Sequence, residues 1–218
     1  MIKVSRSGVE KFLTCKRCFV LEQKYKVRAP SLPFTLNIAV DNLCKNEFDY
    51  YRERQEPHPI FLEHKMLYDI AGEVPDEAYT VPFGEIGIVR EGDDVTLISI
   101  GKMVGVCQEA AKSLSSMGIE AAILDLRTTS PLDEDTILEF AEETGRIVIV
   151  DEAYPRCGIA ADISSIIAEK GFSSLKAPIR KITPKHTPVP YAPSLEKAFL
   201  PDTERVVKAV VEIVGDSL

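Results

Sequence analysis

The feature of this sequence that most restricts its fold is a regular alternation, from residue 91 onward, of short apolar runs and helical patterns. Val95–Ile100 is rich in β-branched residues, which predicts a buried strand. Further strands are predicted at 119–126, 146–150 and 179–182, and helices at 102–117, 133–145, 158–170 and 203–214. Strands and helices that alternate with short connections predict an α/β domain, with an open, mostly parallel sheet and helices on both faces.

Periodicity also predicts which side chains the first and last helices bury. The first helix repeats apolar residues at steps of three and four, which places them on one face. Those residues are Met103, Cys107, Ala110, Leu114 and Met117. The last helix is expected to bury Val206, Val207, Val210, Val211 and Val214.

Charge and cysteine content change near the Pro57-His58-Pro59 stretch. Residues 1–58 hold 11 Lys and Arg against 7 Asp and Glu, whereas residues 59–218 hold 15 against 27. Three of the five cysteines lie in the first 58 residues. We therefore predict a small, mainly helical N-terminal segment (1–58), a linker (59–90) and the α/β domain (91–218).

Composition excludes several classes of protein. The chain is 45% hydrophobic and 28% charged, which is typical of a globular protein, and its net charge of −8 argues against a nucleic-acid binder throughout. No apolar run approaches the roughly 18 residues that span a membrane, and no signal peptide is apparent. An odd number of cysteines argues against a secreted disulfide framework, so we expect a cytoplasmic protein.

The N-terminal segment has one motif with metal-ligand spacing, Cys15-Lys16-Arg17-Cys18. A closed zinc or iron–sulfur site needs four ligands, and only Cys44 lies nearby, so we predict that no metal binds here. Basic residues interleaved with aromatics around this motif fit a nucleic-acid surface or the solvated face of a short amphipathic helix.

Within the α/β domain, polar residues follow two predicted strands. Arg127 follows one strand, and Asp151 and Glu152 follow another. Ligands of open α/β sheets bind at this edge, so these three residues are candidates for an interface or for binding an organic anion. A surface cluster of ion pairs is the alternative.

Other motifs carry less chemistry. Gly101 and Gly105 flank the start of the first helix, but their spacing differs from the dinucleotide-binding fingerprint, which favours a turn without a ligand. His58, His64 and His186 each lack a partner at a recognisable spacing, and 183–193 reads as a Pro-rich surface loop.

From Pro59 to the end, the sequence resembles the C-terminal part of the beta subunit of thiamine-diphosphate-dependent 2-oxo acid dehydrogenases of the pyruvate, branched-chain or acetoin type. The shared stretches are Pro59-Ile-Phe-Leu-Glu-His-Lys65, Gly72-Glu-Val-Pro75, Asp125-Leu-Arg-Thr128 with Pro131-Leu-Asp133, Val150-Asp-Glu-Ala153, and Thr187-Pro-Val-Pro190 with Leu195-Glu196 and Leu200-Pro201. Arg156-Cys157-Gly158 departs from the family's more glycine-rich turn.

This resemblance implies a transketolase-type C-terminal domain. In that family, thiamine diphosphate with Mg²⁺ is held between an alpha-subunit domain and the N-terminal, pyrimidine-binding domain of the beta subunit, which also carries the acid that activates the cofactor. The resemblance begins only near the end of that N-terminal domain, so residues 59–90 are expected to hold its last part and the linker. No catalytic or cofactor-binding residue therefore carries over to this chain, which alone is expected to bind no cofactor and to be inactive. The expected partners are the alpha subunit of the dehydrogenase, another copy of the chain and the acyltransferase core, without membrane or nucleic acid.

Residues 1–57 resemble the N-terminus of PD-(D/E)xK-type nuclease proteins. The shared stretches are Ser5-Arg-Ser-Gly-Val-Glu-Lys-Phe-Leu13, Cys15-Lys-Arg-Cys-Phe19, and Pro33-Phe-Thr-Leu-Asn37 with Ala39-Val-Asp41. The expected function is that of a truncated beta subunit, with a nucleic-acid-processing protein fused to an α/β domain as the alternative. A natural fusion, an assembly artefact and an engineered junction all fit the join near residue 58.

Overall fold

A computed structural model of the chain describes residues 60–72, 75–77 and 79–215. All of these except Ile60 and Phe61 belong to one compact unit, Leu62–Leu218. The predictions for residues 1–58, including the absence of a metal at Cys15, Cys18 and Cys44, lie outside the described residues.

The centre of the α/β unit is a five-stranded sheet. Its strands are β1 (Gly87–Arg90), β2 (Val95–Ser99), β3 (Ala121–Asp125), β4 (Ile147–Val150) and β5 (Arg180–Ile182). They lie in the order β1-β3-β2-β4-β5, and all neighbours are parallel except β1 and β3. Residues of β2 and β3 face each other in register from Val95 and Ala121 to Ser99 and Asp125.

Helices cover both faces of this sheet, as the sequence predicts. They are α1 (Lys102–Ser115), α2 (Glu134–Thr144), α3 (Ile159–Lys170), α4 (Pro193–Phe199) and α5 (Thr203–Gly215), with 3-10 helices at Lys65–Leu67 and Phe172–Ser174. Leu97 packs with α1 and α5, and its neighbour Ile98 packs with α2 and α3. Successive strand residues point to opposite faces, so β2 supplies both cores.

The predicted helix ends are visible as caps. Asp133 accepts a hydrogen bond from the Thr136 N–H (3.2 Å) at the start of α2, and Gly145 ends α2 in the left-handed conformation. No helix in the described ranges is long and apolar enough to cross a membrane.

Four details differ from the sequence predictions. The last helix buries Val206, Ala209, Val210 and Ile213, and Val211 is exposed. Val207 and Val214 are only half-buried, and Met117 lies beyond the end of α1 and is exposed.

Besides the two 3-10 helices, one strand and one α-helix are not predicted by the sequence. Strand β1 pairs with β3 with a bulge at Val89, and helix α4 begins at the last residue of the expected Pro-rich loop. In β1 only Gly87 is buried, and α4 has no buried residue, so neither segment has the continuous apolar run or the apolar helical face that would predict it.

Candidate site at the carboxyl edge of the sheet

The carboxyl ends of four parallel strands meet at one edge of the sheet. Ser99 of β2, Asp125 of β3, Val150 of β4 and Ile182 of β5 end there. Each strand is followed by a loop, and the loops after β3 and β4 carry the candidate residues. Arg127 and Cys157 are the two described non-glycine residues with positive φ (52° and 56°), and both lie in these loops. Such backbone strain is concentrated at functional sites.

Arg127 turns towards the antiparallel edge of the sheet. Its guanidinium lies over Gly87 of β1, where a Cβ would be only 2.5 Å from Nε. The Arg127 N–H donates to Asp125 Oδ1 (3.3 Å). Burial raises the pKa of the Asp125 carboxyl, although this N–H and the nearby positive charge oppose the shift. The exposed guanidinium is thus held beside a carboxyl that favours its neutral form more than usual.

Asp151, which follows β4, is almost fully buried. Its Oδ1 accepts a hydrogen bond from the Ala153 N–H (3.0 Å), while its Oδ2 has no partner. Gly158, which precedes α3, lies beside Oδ2, and a Cβ at that position would be 3.7 Å away. The start of α3 offers this carboxylate the favourable end of a helix dipole.

Glu152 contacts His64, a residue for which the sequence shows no partner. Its Oε2 lies 2.9 Å from His64 Nε2, and about a quarter to a third of each side chain is exposed. For Glu152, the sequence leaves a surface cluster of ion pairs as the alternative to a binding site. The two residues are 88 positions apart in the sequence, so no local pattern predicts this contact.

The structure does not gather the three candidate residues into one cluster. Arg127 follows β3 and lies towards β1, whereas Asp151 and Glu152 follow β4, with β2 between the two strands. No ion pair joins Arg127 to either acid. The edge therefore carries the Arg127 guanidinium at one place and the two acidic side chains at another, rather than one charged pocket.

Neighbouring groups at this edge are structural. Gly101 precedes α1 without a side-chain cap, and the ring of His186 packs edge-on against Tyr154 with centroids 5.3 Å apart. Cys107 of α1 is completely buried, which raises the pKa of its thiol to about 12 despite a hydrogen bond with Ser99. A thiol in this state is inert as a nucleophile.

The described residues do not fit a metal–diphosphate site. Magnesium that holds a diphosphate needs several oxygen ligands. Nowhere in ranges 60–72, 75–77 and 79–215 do three His, Cys, Asp or Glu side chains come close enough to hold a metal ion.

An open sheet with one antiparallel edge strand, helices on both faces and polar loops at the carboxyl edge defines an α/β domain of the transketolase type. The family model "Transketolase, C-terminal domain" matches residues 84–206. The chain belongs to this family.

Curated relatives are beta subunits of an acetoin oxidoreductase and of the pyruvate dehydrogenase E1 component. The chain is 51% identical over 157 residues to the acetoin:2,6-dichlorophenolindophenol oxidoreductase subunit beta of Bacillus subtilis, covering 72% of this chain and 46% of that protein. It is 54% identical over 185 residues to the subunit of the same name from Cupriavidus necator, covering 84% and 52%. The pyruvate dehydrogenase E1 component subunit beta of Rickettsia felis is 39% identical over 160 residues, covering 73% and 49%.

The chain thus spans about half the length of these relatives. The Cupriavidus match covers 84% of the chain, which is more than the stretch from Pro59 to Leu218 contains, so it includes residues before Pro59. No comparison supports the nuclease resemblance of residues 1–57, and the division at residue 58 stays a prediction.

Among solved structures, one titled "Split gene transketolase, inactive beta4 tetramer" superimposes with a TM-score of 0.55 at 25% identity. It covers 66% of this chain and 45% of that chain. This likeness agrees with the fold described above.

Proposed function

We propose that this chain supplies the C-terminal domain of a beta subunit in an acetoin or 2-oxo acid dehydrogenase complex, and that it serves subunit assembly rather than catalysis. The observation that carries the proposal is the identity of 51–54% to two acetoin oxidoreductase beta subunits. Identity at this level over the α/β unit favours the same role for that unit. The chain is expected to work in the cytoplasm.

The assembly role is supported by what the carboxyl edge holds. Asp151 Oδ2 is buried, Glu152 is paired with His64, and Cys107 is inert. None of these groups is placed as a nucleophile beside a general base. Thiamine diphosphate and Mg²⁺ would then belong to the complete assembly, on the parts of the relatives that this chain does not match.

Exposed apolar side chains before β1 support a partner surface. Tyr79, Val81 and Phe83 are each more than half exposed, and Ile88 of β1 is about half exposed. Exposed apolar side chains that follow one another along a segment are candidates for a protein interface. The alpha subunit, a second copy of the chain and the acyltransferase core are the partners we expect.

The test is association with an alpha subunit of an acetoin dehydrogenase, measured by sedimentation velocity on the purified full chain. We expect a complex that Arg127→Glu weakens by about tenfold, because the exposed guanidinium lies at the carboxyl edge and charge complementarity sets subunit pairing. Arg180→Glu, an exposed change on β5, is the matched control and should leave association unchanged. Absence of any complex with the unmodified chain, or equal effects of the two variants, contradicts the proposal.

A further inference from the structure

Residues 62–70, which we call the strap, lie at the start of the α/β unit, and of their apolar side chains only Leu67 is half-buried. Leu62, Met66, Tyr68 and Ile70 are all more than half exposed. The 3-10 helix in this segment, Lys65–Leu67, contains no buried residue. Burial of apolar area is the main force that holds a segment on a protein, and Leu67 alone supplies little of it, so the strap depends largely on its polar contacts.

His64 provides the strongest of these contacts and uses both ring nitrogens. Nδ1 accepts a hydrogen bond from the Met66 N–H (3.3 Å), which caps the 3-10 helix. Nε2 lies 2.9 Å from Glu152 Oε2, at the carboxyl end of β4. Because Nδ1 acts as an acceptor, the proton must be on Nε2, where it is donated to the carboxylate. One side chain therefore fixes the turn of the strap and joins it to the sheet edge.

A second contact is weaker. Lys102 Nζ, at the start of α1, lies 3.0 Å from the sulfur of Met66. Thioether sulfur is a poor acceptor, so this contact adds little. The hydrogen bond between Tyr68 and Glu63 stays within the strap and does not join it to the sheet.

We propose that the strap is a displaceable cover over Glu152, latched by the His64–Glu152 contact. With the latch closed, the Glu152 carboxylate is occupied from within the chain. With the latch open, Glu152 is free at the edge where Asp151 Oδ2 remains buried. The inference rests on the proposed function in one respect, namely that a partner subunit would use the freed carboxylate; the opening of the strap does not depend on it.

The strap carries its own reporter, because Lys65 is exposed and trypsin cleaves after it. When opening and closing are fast, the rate of cleavage follows the population of the open state. The experiment measures the initial rate of cleavage after Lys65 by mass spectrometry, on the full chain and on its variants.

We expect Glu152→Gln to raise this rate by about 1.5- to 5-fold, because the amide oxygen can still accept the Nε2 proton but carries no charge, and a partly exposed contact of this kind is weak. His64→Ala should raise it similarly after correction for its effect on cleavage of a free peptide of residues 60–72. The double variant should match His64→Ala, because that single change already removes the donor of the contact. Glu139→Gln, an exposed change in charge on α2, is the control and should leave the rate unchanged.

Unchanged cleavage in both Glu152→Gln and His64→Ala overturns the proposal, as does an equal increase in Glu139→Gln. The midpoint of urea unfolding of each variant, measured alongside, separates latch opening from global loss of structure. A rise in cleavage limited to the latch variants, without any change in alpha-subunit binding, keeps the strap and contradicts only the use of Glu152 by a partner.

Discussion

The α-carbon of Gly92 lies directly against the backbone of Ala121: a Cβ at residue 92 would be 2.4 Å from the Ala121 carbonyl carbon. The turn before β2 crosses the start of β3 here, and Asp94 N–H donates to Glu120 O (3.0 Å) in the same crossing. We expect Gly92→Ala to lower the free energy of unfolding by about 1–3 kcal/mol, because backbone cannot move aside cheaply. Urea denaturation measures this loss.

Gly87→Ala is the matched control. A Cβ at residue 87 would also be within 2.5 Å of a neighbour, but that neighbour is the flexible end of the exposed Arg127 side chain. The guanidinium can swing away, so the change should cost less than about 0.5 kcal/mol. Equal losses for the two variants would contradict the described crossing.

Asp133 should make the stability of the domain depend on acid. It caps α2 and also accepts a hydrogen bond from the Ile86 N–H (3.0 Å), which leads into β1. Partial burial acts to raise the pKa of Asp133, but the hydrogen bonds from Ile86 and Thr136 outweigh it and the pKa is lowered. A lowered pKa in the folded state adds stability above the unfolded value, and this stability disappears as the pH falls through the folded value.

Asp133→Ala is therefore expected to cost about 1–2 kcal/mol near neutral pH. The difference from the unmodified chain should shrink below about pH 4, where the carboxyl takes up its proton. Urea unfolding at several pH values gives the two curves, with Glu142→Ala on the exposed side of α2 as control. A difference that stays constant with pH would show that the carboxylate charge does not matter.

The two cysteines of the described part should react very differently. Cys107 is buried with a raised pKa, and Cys157 is exposed in the loop before α3. Iodoacetamide should alkylate Cys157 in the folded chain and Cys107 only in urea, because the thiolate is the reactive species. Peptide mass spectrometry reads each cysteine separately. Equal alkylation of both in the folded chain would contradict the described packing of α1.

The α/β domain should fold without the first 58 residues, and β1 should add to its stability. Gly84 N–H donates to Thr128 Oγ1 (2.9 Å), and Arg90 Nη1 donates to Ala121 O (3.0 Å), besides the pairing of β1 with β3. A fragment of residues 84–218 should unfold cooperatively and be at least about 2 kcal/mol more stable than residues 91–218. Calorimetry of the two fragments decides this, and a non-cooperative transition in the longer one contradicts it.

The layered fold is predictable from the sequence because each long strand or helix has a clear apolar pattern. Val95–Ser99 is a dense β-branched run, and α1 buries Met103, Cys107, Ala110 and Leu114 as its period requires. The prediction of buried residues is wrong where tertiary packing determines which side of a helix is covered. In α5, Ala209 and Ile213 are buried and Val211 is exposed. Valine and isoleucine are equally apolar, so the pattern could not choose between two adjacent faces.

The candidate site was predictable only in its location. Strand ends placed Arg127, Asp151 and Glu152 at one edge, but strand order, which the sequence does not contain, separates Arg127 from the two acids. The His64–Glu152 contact joins residues far apart in the chain, and the orphaned Asp151 Oδ2 depends on where the start of α3 lies. Neither leaves a signal at the level of a local motif.

The most direct test of an assembly role without catalysis is turnover by the purified chain. The assay supplies thiamine diphosphate, Mg²⁺, acetoin or pyruvate, and dichlorophenolindophenol as electron acceptor, with a complete alpha–beta enzyme as positive control. We predict no reduction of the dye above the enzyme-free rate and no saturable binding of thiamine diphosphate by calorimetry, because the described residues offer no cluster of metal ligands. Saturable binding of the cofactor together with turnover by the chain alone would contradict the account.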